Sequence, residues 1–179
     1  MAEPLRPPTH ALAPFVAESR RLLIGEYLPK IRSALDHLDE GDLWWRPNPA
    51  SNSVGNLLLH LAGNLRQWVV HGLGGRVDVR DRASEFSARG GVGVDEAFRR
   101  LRTSIEEADR VLDGLDPDRL NEPLIVQGLE TTGLRALYHA VEHVSMHTGQ
   151  ILLLVKARTG RDLGFYQVDP SGDVVETRW

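Results

Sequence analysis

Residues 134–155 read LRALYHAVEHVSMHTGQILLLV, and this stretch decides the fold class of the chain. Its apolar residues recur at the spacing of one helical face. The members of that face are Leu134, Leu137, Val141, Val144, Thr148, Ile151 and Val155. Thr131 or Thr132 can cap this helix, and Gly160 closes it after Arg158. The stretch therefore predicts a long amphipathic helix, which needs other helices to bury its apolar face.

Three segments upstream have the same periodicity and can supply those helices. Residues 15–38, 54–71 and 94–112 each place apolar residues close to helical spacing, and no segment alternates apolar and polar residues as a half-buried strand would. Pro29 predicts a kink or a break in the first of them. Four long amphipathic segments favour an all-α fold, and the simplest architecture is a four-helix bundle.

The segments between and around these helices are less regular. Residues 76–93 are charged, punctuated by glycine and without periodicity, so we expect a loop there, one that can move over a site. Residues 120–129 predict a short extended arm, and the tail from residue 165 has no clear period. We expect a flexible, Pro-rich segment over residues 1–14 and a single domain over residues 15–179.

The connection between the first two predicted helices contains two adjacent tryptophans. Trp44 and Trp45 are expected to cover an end of the core, although they can also wall a substrate pocket. Ser51 or Ser53 then offers an N-cap for the second helix.

Composition excludes several classes of protein. Of the 179 residues, 41% are hydrophobic and 26% charged, which is typical of a globular protein. The 21 Lys and Arg are scattered and outnumbered by 25 Asp and Glu, so a nucleic-acid partner is not expected. The chain has no cysteine, which fits a cytoplasmic protein and leaves only nitrogen and oxygen ligands for a metal. Neither a signal peptide nor an apolar run long enough to span a membrane is apparent.

Three of the seven histidines have a spacing that permits a shared metal ion. His143 and His147 are four residues apart, so they project from the same face of the fourth helix. His60 lies roughly 120° from the leucine face of the second helix, beside Asn56 and Asn64. These positions at the edges of two buried faces suit an open metal site. The alternative is that all three are partly exposed polar residues without a ligand.

The other histidines are weaker candidates. His71 shares a side of the second helix with His60, but eleven residues separate the two by roughly 16 Å of helical rise, too far to share an ion. His139 is one turn before His143 and is expected to support the site or to pack in the core. His10 and His37 are isolated.

One residue argues against a zinc protease. The pattern His-Glu-x-x-His has the same spacing as His143 and His147, and its glutamate acts as the general base. Val144 occupies the position of that glutamate.

Two stretches resemble the DinB and YfiT family of metal-dependent bundle proteins. They are residues 53–62, SVGNLLLHLA, and residues 139–151, HAVEHVSMHTGQI. The resemblance spans most of the chain and implies a four-helix bundle, often a homodimer, that binds nickel or zinc through His60, His143 and His147. Iron, cobalt and manganese are further candidates for the ion. Many relatives have Arg at the position of Thr148, so a contact made by that arginine is absent here.

The same resemblance implies a metal-dependent enzyme, such as a thiol S-transferase or a hydrolase, acting on a small molecule with a low-molecular-weight thiol. Asn64, Gln67 and Gln150 are candidates for supporting the site. No catalytic residue, substrate or physiological metal can be assigned. Two alternatives remain open: a non-catalytic metal-binding protein of the stress response, and a structural dimeric bundle.

Overall fold

The computed structural model describes residues 9–176, and helices dominate it. The α-helices are α1 (Thr9–Leu22), α2 (Leu28–Leu35), α3 (Val54–Leu65), α4 (Arg82–Ser87), α5 (Val94–Asp113) and α6 (Gly133–Thr159). Leu23–Tyr27 and Arg66–Leu73 are π-helical, and Pro117–Asn121 is a 3₁₀ turn. Two antiparallel hairpins complete the fold, β1 (Pro123–Val126) with β2 (Leu129–Thr132), and β3 (Tyr166–Val168) with β4 (Val174–Glu176).

The first helical run begins earlier than predicted. α1 starts at Thr9, six residues before the expected start, because Leu12 is buried at 1% exposure and anchors this turn to the core. The predicted flexible segment over residues 1–14 is therefore helical from residue 9 onward, and residues 1–8 lie outside the described residues. Pro29 does not break the run. The turn before it widens to a π-helix, which accommodates a residue that has no N–H to donate.

The next two long helices agree closely with the periodicity. α3 begins at Val54, and Ser53 caps it in a reciprocal arrangement with Asn56, in which each side chain accepts from the other residue's backbone N–H. Its run continues through the π-helical turns to Leu73 and stops at Gly74. α5 spans Val94–Asp113, within one residue of the prediction.

Three segments differ from the predictions. The expected loop over residues 76–93 contains α4, whose only buried residue is Glu85, so its inward face is polar and invisible to a search for apolar periodicity. The expected single arm over residues 120–129 is part of the hairpin β1–β2, closed by Gln127 and Gly128 with positive φ. The tail forms the hairpin β3–β4. A purely all-α description is therefore too strict.

The core lies where α3 and α6 meet the remaining helices. Leucine, isoleucine, valine and alanine side chains dominate it, and α3 packs against both α5 and α6. Trp44 lies against Gly55, where an added Cβ would come within 3.0 Å of the indole, and donates through Nε1 to the carbonyl of Val92. Within residues 9–176, no helix combines the length and the apolar character needed to cross a membrane.

Candidate metal centre

Packing of α3 against α6 brings three imidazole rings together. One ring nitrogen from each of His60, His143 and His147 lies within 4.8 Å of the other two. The closest pair is Nε2 of His60 and Nε2 of His143, at 2.8 Å. The ring centroids lie 4.4–5.1 Å apart. The convergence of these three side chains agrees with the sequence prediction.

The two helices place these rings for local reasons. His143 and His147 are one turn apart on α6, whose adjoining face is buried through Val144, Ile151 and Val155. His60 lies on α3 and is 4% exposed, while His147 is 9% exposed. The cluster therefore lies at the edge of the core, with His143 half-buried at its opening.

Burial keeps the rings on α6 neutral. Desolvation, reinforced by the neighbouring histidines and Arg80, lowers the pKa of His143 to about 3. Desolvation also lowers the pKa of His147, against a hydrogen bond to Gln150 that raises it. Both rings are therefore uncharged at neutral pH, which is the state that a metal-ligating imidazole requires.

A buried ion pair lies on the far side of the His60 ring. Oε2 of Glu85 is 3.0 Å from Nδ1 of His60, and Arg80 donates to both carboxylate oxygens, from Nε at 2.7 Å and from Nη2 at 2.8 Å. The side chains of Arg80 and Glu85 are only 3% and 8% exposed. Desolvation would raise the pKa of Glu85, but the hydrogen bonds from Arg80 and His60 outweigh it and lower the pKa. The segment expected to be a loop thus supplies a charged pair that touches the cluster.

α4 also covers the cluster with an aromatic ring. The ring of Phe86 lies 4.7 Å from that of His60, and the guanidinium of Arg82 lies 5.1 Å above Phe86. Neither residue is indicated by the sequence. Both lie more than twenty positions from His60, and their segment has no apolar periodicity that would predict a helix. A spatial contact of this kind leaves no mark in a local pattern.

The three supporting candidates have different positions. Gln150 contacts the cluster, since its Oε1 accepts from Nδ1 of His147 at 2.7 Å. Gln67 instead contacts Arg80, whose Nη1 donates to its Oε1 at 2.8 Å. Asn64 contacts His139 and none of the three rings, with its Nδ2 3.4 Å from Nε2 of that histidine.

His139 and His71 do not join the cluster. The ring centroid of His139 lies 4.3 Å from that of Trp68, at a tilt of 50°, and 5.1 Å from that of His143, and burial lowers the pKa of His139. It is therefore a packed neighbour, as expected. His71 donates from Nδ1 to the carbonyl of Arg76 at 2.6 Å, away from the cluster.

The residues present fit a divalent cation of the borderline type. Among residues 9–176, the group that could hold an ion consists of His60, His143 and His147, three nitrogen donors. Such sets suit zinc, nickel, cobalt and iron(II). A closed structural site would use four protein ligands, so this set is that of a site with room for an exogenous ligand.

A large cavity lies beside the cluster rather than on it. It has a volume of about 840 Å³ and is bounded by α3, α5 and the segment 76–85. Arg80 and Glu85 line it, while none of the three imidazoles does. The buried ion pair therefore separates this cavity from His60.

Comparison with known proteins adds one finding. The family model of the DinB superfamily matches residues 29–151, more than half of the chain. The matched span includes α3, α4, α5 and most of α6, and with them all three clustered histidines. No curated protein matches the chain.

Proposed function

The chain belongs to the DinB superfamily, and from this premise we propose that it is a metal-dependent enzyme in which His60, His143 and His147 hold one divalent cation. The observation that carries the proposal is the meeting of three imidazole nitrogens from two helices within 4.8 Å of one another. The helices α1–α2, α3, α5 and α6 are proposed to form the four-helix bundle that positions these ligands.

The burial of the rings supports a metal site over an incidental cluster. Without an ion, Nε2 of His60 and Nε2 of His143, 2.8 Å apart, can face each other only if one of the two carries a proton. The lowered pKa values of His143 and His147 keep protons from competing with a cation at neutral pH. The alternative of three unrelated polar residues explains neither the shared direction nor the burial.

A divalent cation on three neutral imidazoles supplies Lewis acidity, lowering the pKa of a bound water or thiol toward neutrality. This chain has no cysteine, so a thiol nucleophile must come from a second small molecule. We therefore propose chemistry of the thiol S-transferase or hydrolase type on a small electrophile, with nickel or zinc as the ion.

The chain's own residues orient the ligands and limit access to them. Gln150 accepts from Nδ1 of His147, which leaves Nε2 of that ring free toward the cluster. Phe86 packs against His60, with the ring centroids 4.7 Å apart, and helps to shield that imidazole from solvent. His143 remains half-buried and marks the side from which a substrate can approach.

Elemental analysis of untagged protein tests the ion directly. We expect one equivalent of divalent metal in the wild type and its loss in His60→Ala, His143→Ala and His147→Ala. His71→Ala is the matched control, because His71 lies on the same helical run as His60 but bonds to a backbone carbonyl. Wild-type protein that stays metal-free after incubation with zinc or nickel and desalting would contradict the proposal.

A turnover assay separates catalysis from storage. A panel of small electrophiles with an added low-molecular-weight thiol is expected to react in the presence of the loaded wild type and not with His147→Ala. Metal bound at one equivalent without turnover of any panel member would favour a non-catalytic metal-binding protein instead.

A further inference from the structure

Two oppositely charged groups compete for the same nitrogen of His60. Oε2 of Glu85 lies 3.0 Å from Nδ1, and Nη2 of Arg80 also lies 3.0 Å from it. A carboxylate oxygen only accepts hydrogen bonds and a guanidinium only donates them. The two neighbours therefore favour opposite tautomers of the same ring.

Only one of these tautomers can bind a metal toward the cluster. If Nδ1 carries the proton, it donates to Glu85 and leaves Nε2 with a free lone pair. If Nδ1 is bare, it accepts from Arg80, and the proton on Nε2 then points at Nε2 of His143, 2.8 Å away. In that arrangement Nε2 of His60 has no lone pair for an ion.

The tautomer of His60 needs to be fixed by a neighbouring group more than the tautomers of the other two rings do. It is 4% exposed, whereas His143 is half-buried and can exchange its ring protons with water. Gln150 already accepts from Nδ1 of His147, so a neutral group sets the tautomer of that ring.

We propose that Glu85 is a positioning residue that holds His60 in the tautomer protonated on Nδ1, against the opposing hydrogen bond from Arg80. The inference rests on the proposed function, because it matters only if Nε2 of His60 is a ligand. Arg80 keeps the carboxylate in place by donating to both of its oxygens, and it is itself held through Nη1 by Gln67. The same arginine is thus both the anchor of Glu85 and its competitor.

The fold provides a dedicated place for this carboxylate. Asn56, fully buried on α3, donates from Nδ2 to the carbonyls of Glu85 and Ala88 at 2.8 and 3.0 Å, which ties α4 to the helix that carries His60. Gly63 lies opposite, and a Cβ there would come within 2.0 Å of Oε1 of Glu85. A side chain of any size at position 63 would displace the carboxylate.

The first test is Glu85→Gln, an isosteric change that removes the charge. In the metal-free protein we expect the nitrogen-15 spectrum of the His60 ring to shift from the tautomer protonated on Nδ1 toward the one protonated on Nε2. Zinc affinity, measured by competition with a chromophoric chelator, should fall by about 10- to 100-fold, the usual effect of removing the partner of a metal-bound histidine.

The double variant Glu85→Gln with Arg80→Met tests whether the hydrogen bond from Arg80 causes the loss seen in Glu85→Gln. It removes the competing donor and leaves no unpaired buried charge, so the tautomer and part of the zinc affinity should return. Recovery of both readouts supports the proposal. A double variant as weak as the single one, or a single variant that loses affinity with its tautomer unchanged, would overturn it.

Gly63→Ala moves the carboxylate without altering any polar group and should reproduce both effects. Its control is Gly25→Ala, a helical glycine around which an added Cβ meets nothing within 4 Å. Failure of the proposed function would be seen separately, as wild-type protein that binds no zinc; retention of the Nδ1 tautomer and wild-type affinity in Glu85→Gln would overturn the present inference alone.

Discussion

His60 and His147 have their outer nitrogens held in contrasting ways. Nδ1 of His60 faces a buried, charged pair contributed by a segment 25 residues further along the chain. Nδ1 of His147 faces Gln150, an exposed and neutral residue one turn away on the same helix. The difference shows that α6 can orient His147 with a residue of its own, whereas the more deeply buried His60 requires residues from a separate segment of the chain. Changes on the His60 side should therefore affect stability as well as the site.

The largest effect is expected from Arg80→Met. The substitution leaves Glu85 charged, 8% exposed and without its counterion, and breaking a buried pair from one side costs about 4 kcal/mol of folding free energy. Urea unfolding at neutral pH, followed by circular dichroism, measures the loss.

The control for that measurement is Arg66→Met, which breaks a partly exposed pair between the π-helical segment Arg66–Leu73 and Glu107 on α5 and should cost far less. Equal losses for the two variants would show that the pair behind His60 is no more important than a surface ion pair, and the contrast between the two sides would disappear.

Asn56→Ala should follow in size. It removes the Asn56 half of the reciprocal cap of α3 and the hydrogen bonds from Nδ2 to the carbonyls of Glu85 and Ala88. The Ala88 carbonyl keeps a hydrogen bond from Nη1 of Arg89 at 2.9 Å, so the total cost is about 3 kcal/mol. Because α4 then loses its tie to α3, hydrogen exchange should increase at residues 82–88 more than in α6. Uniform loss of protection across both regions would contradict the role of Asn56 as a local clamp.

Metal binding is expected to stabilise the protein through both sides of the cluster. At a free zinc concentration 100 times the dissociation constant, the folded state gains about 2.7 kcal/mol. The gain is measured as the rise in melting temperature on adding zinc. It should vanish in both His60→Ala and His147→Ala, and persist in His71→Ala. Full stabilisation of His60→Ala would mean that the ion lies on α6 alone, and full stabilisation of His147→Ala would mean that His147 is not a ligand.

The same contrast explains which features of the molecule were predictable from its sequence. α3, α5 and α6 have apolar faces several turns long, so their limits and the directions of His60, His143 and His147 follow from helical periodicity. Gln150 is close to His147 in sequence, and its role follows from the same geometry. Local periodicity is therefore sufficient for the α6 side.

The His60 side depends on contacts that no local pattern encodes. α4 is six residues long and buries a carboxylate rather than an apolar side chain, so the segment was predicted to be a loop. Glu85 stays buried because Arg80 neutralises its charge and Gly63 leaves space for its carboxylate. Gly63 is distant from Glu85 in the sequence, and Arg80 lies in a segment without any recognisable pattern, so neither contact can be read from the sequence. The hairpin β1–β2 escaped prediction for a related reason, since each of its strands has only four residues.

The smallest effect is expected from Gln150→Ala, on the other side of the comparison. The substitution removes the acceptor at Nδ1 of His147, and water can replace it because position 150 is exposed. Zinc affinity should therefore fall by about tenfold, the low end for such partners and equal to about 1.4 kcal/mol, with no change in urea stability. Competition with a chelator measures the affinity, and Gln150→Glu, which keeps an acceptor oxygen, should restore most of it. If Gln150→Ala weakens binding as much as Glu85→Gln does, burial and charge do not distinguish the two ligands, and the orientation of an imidazole matters equally on either helix.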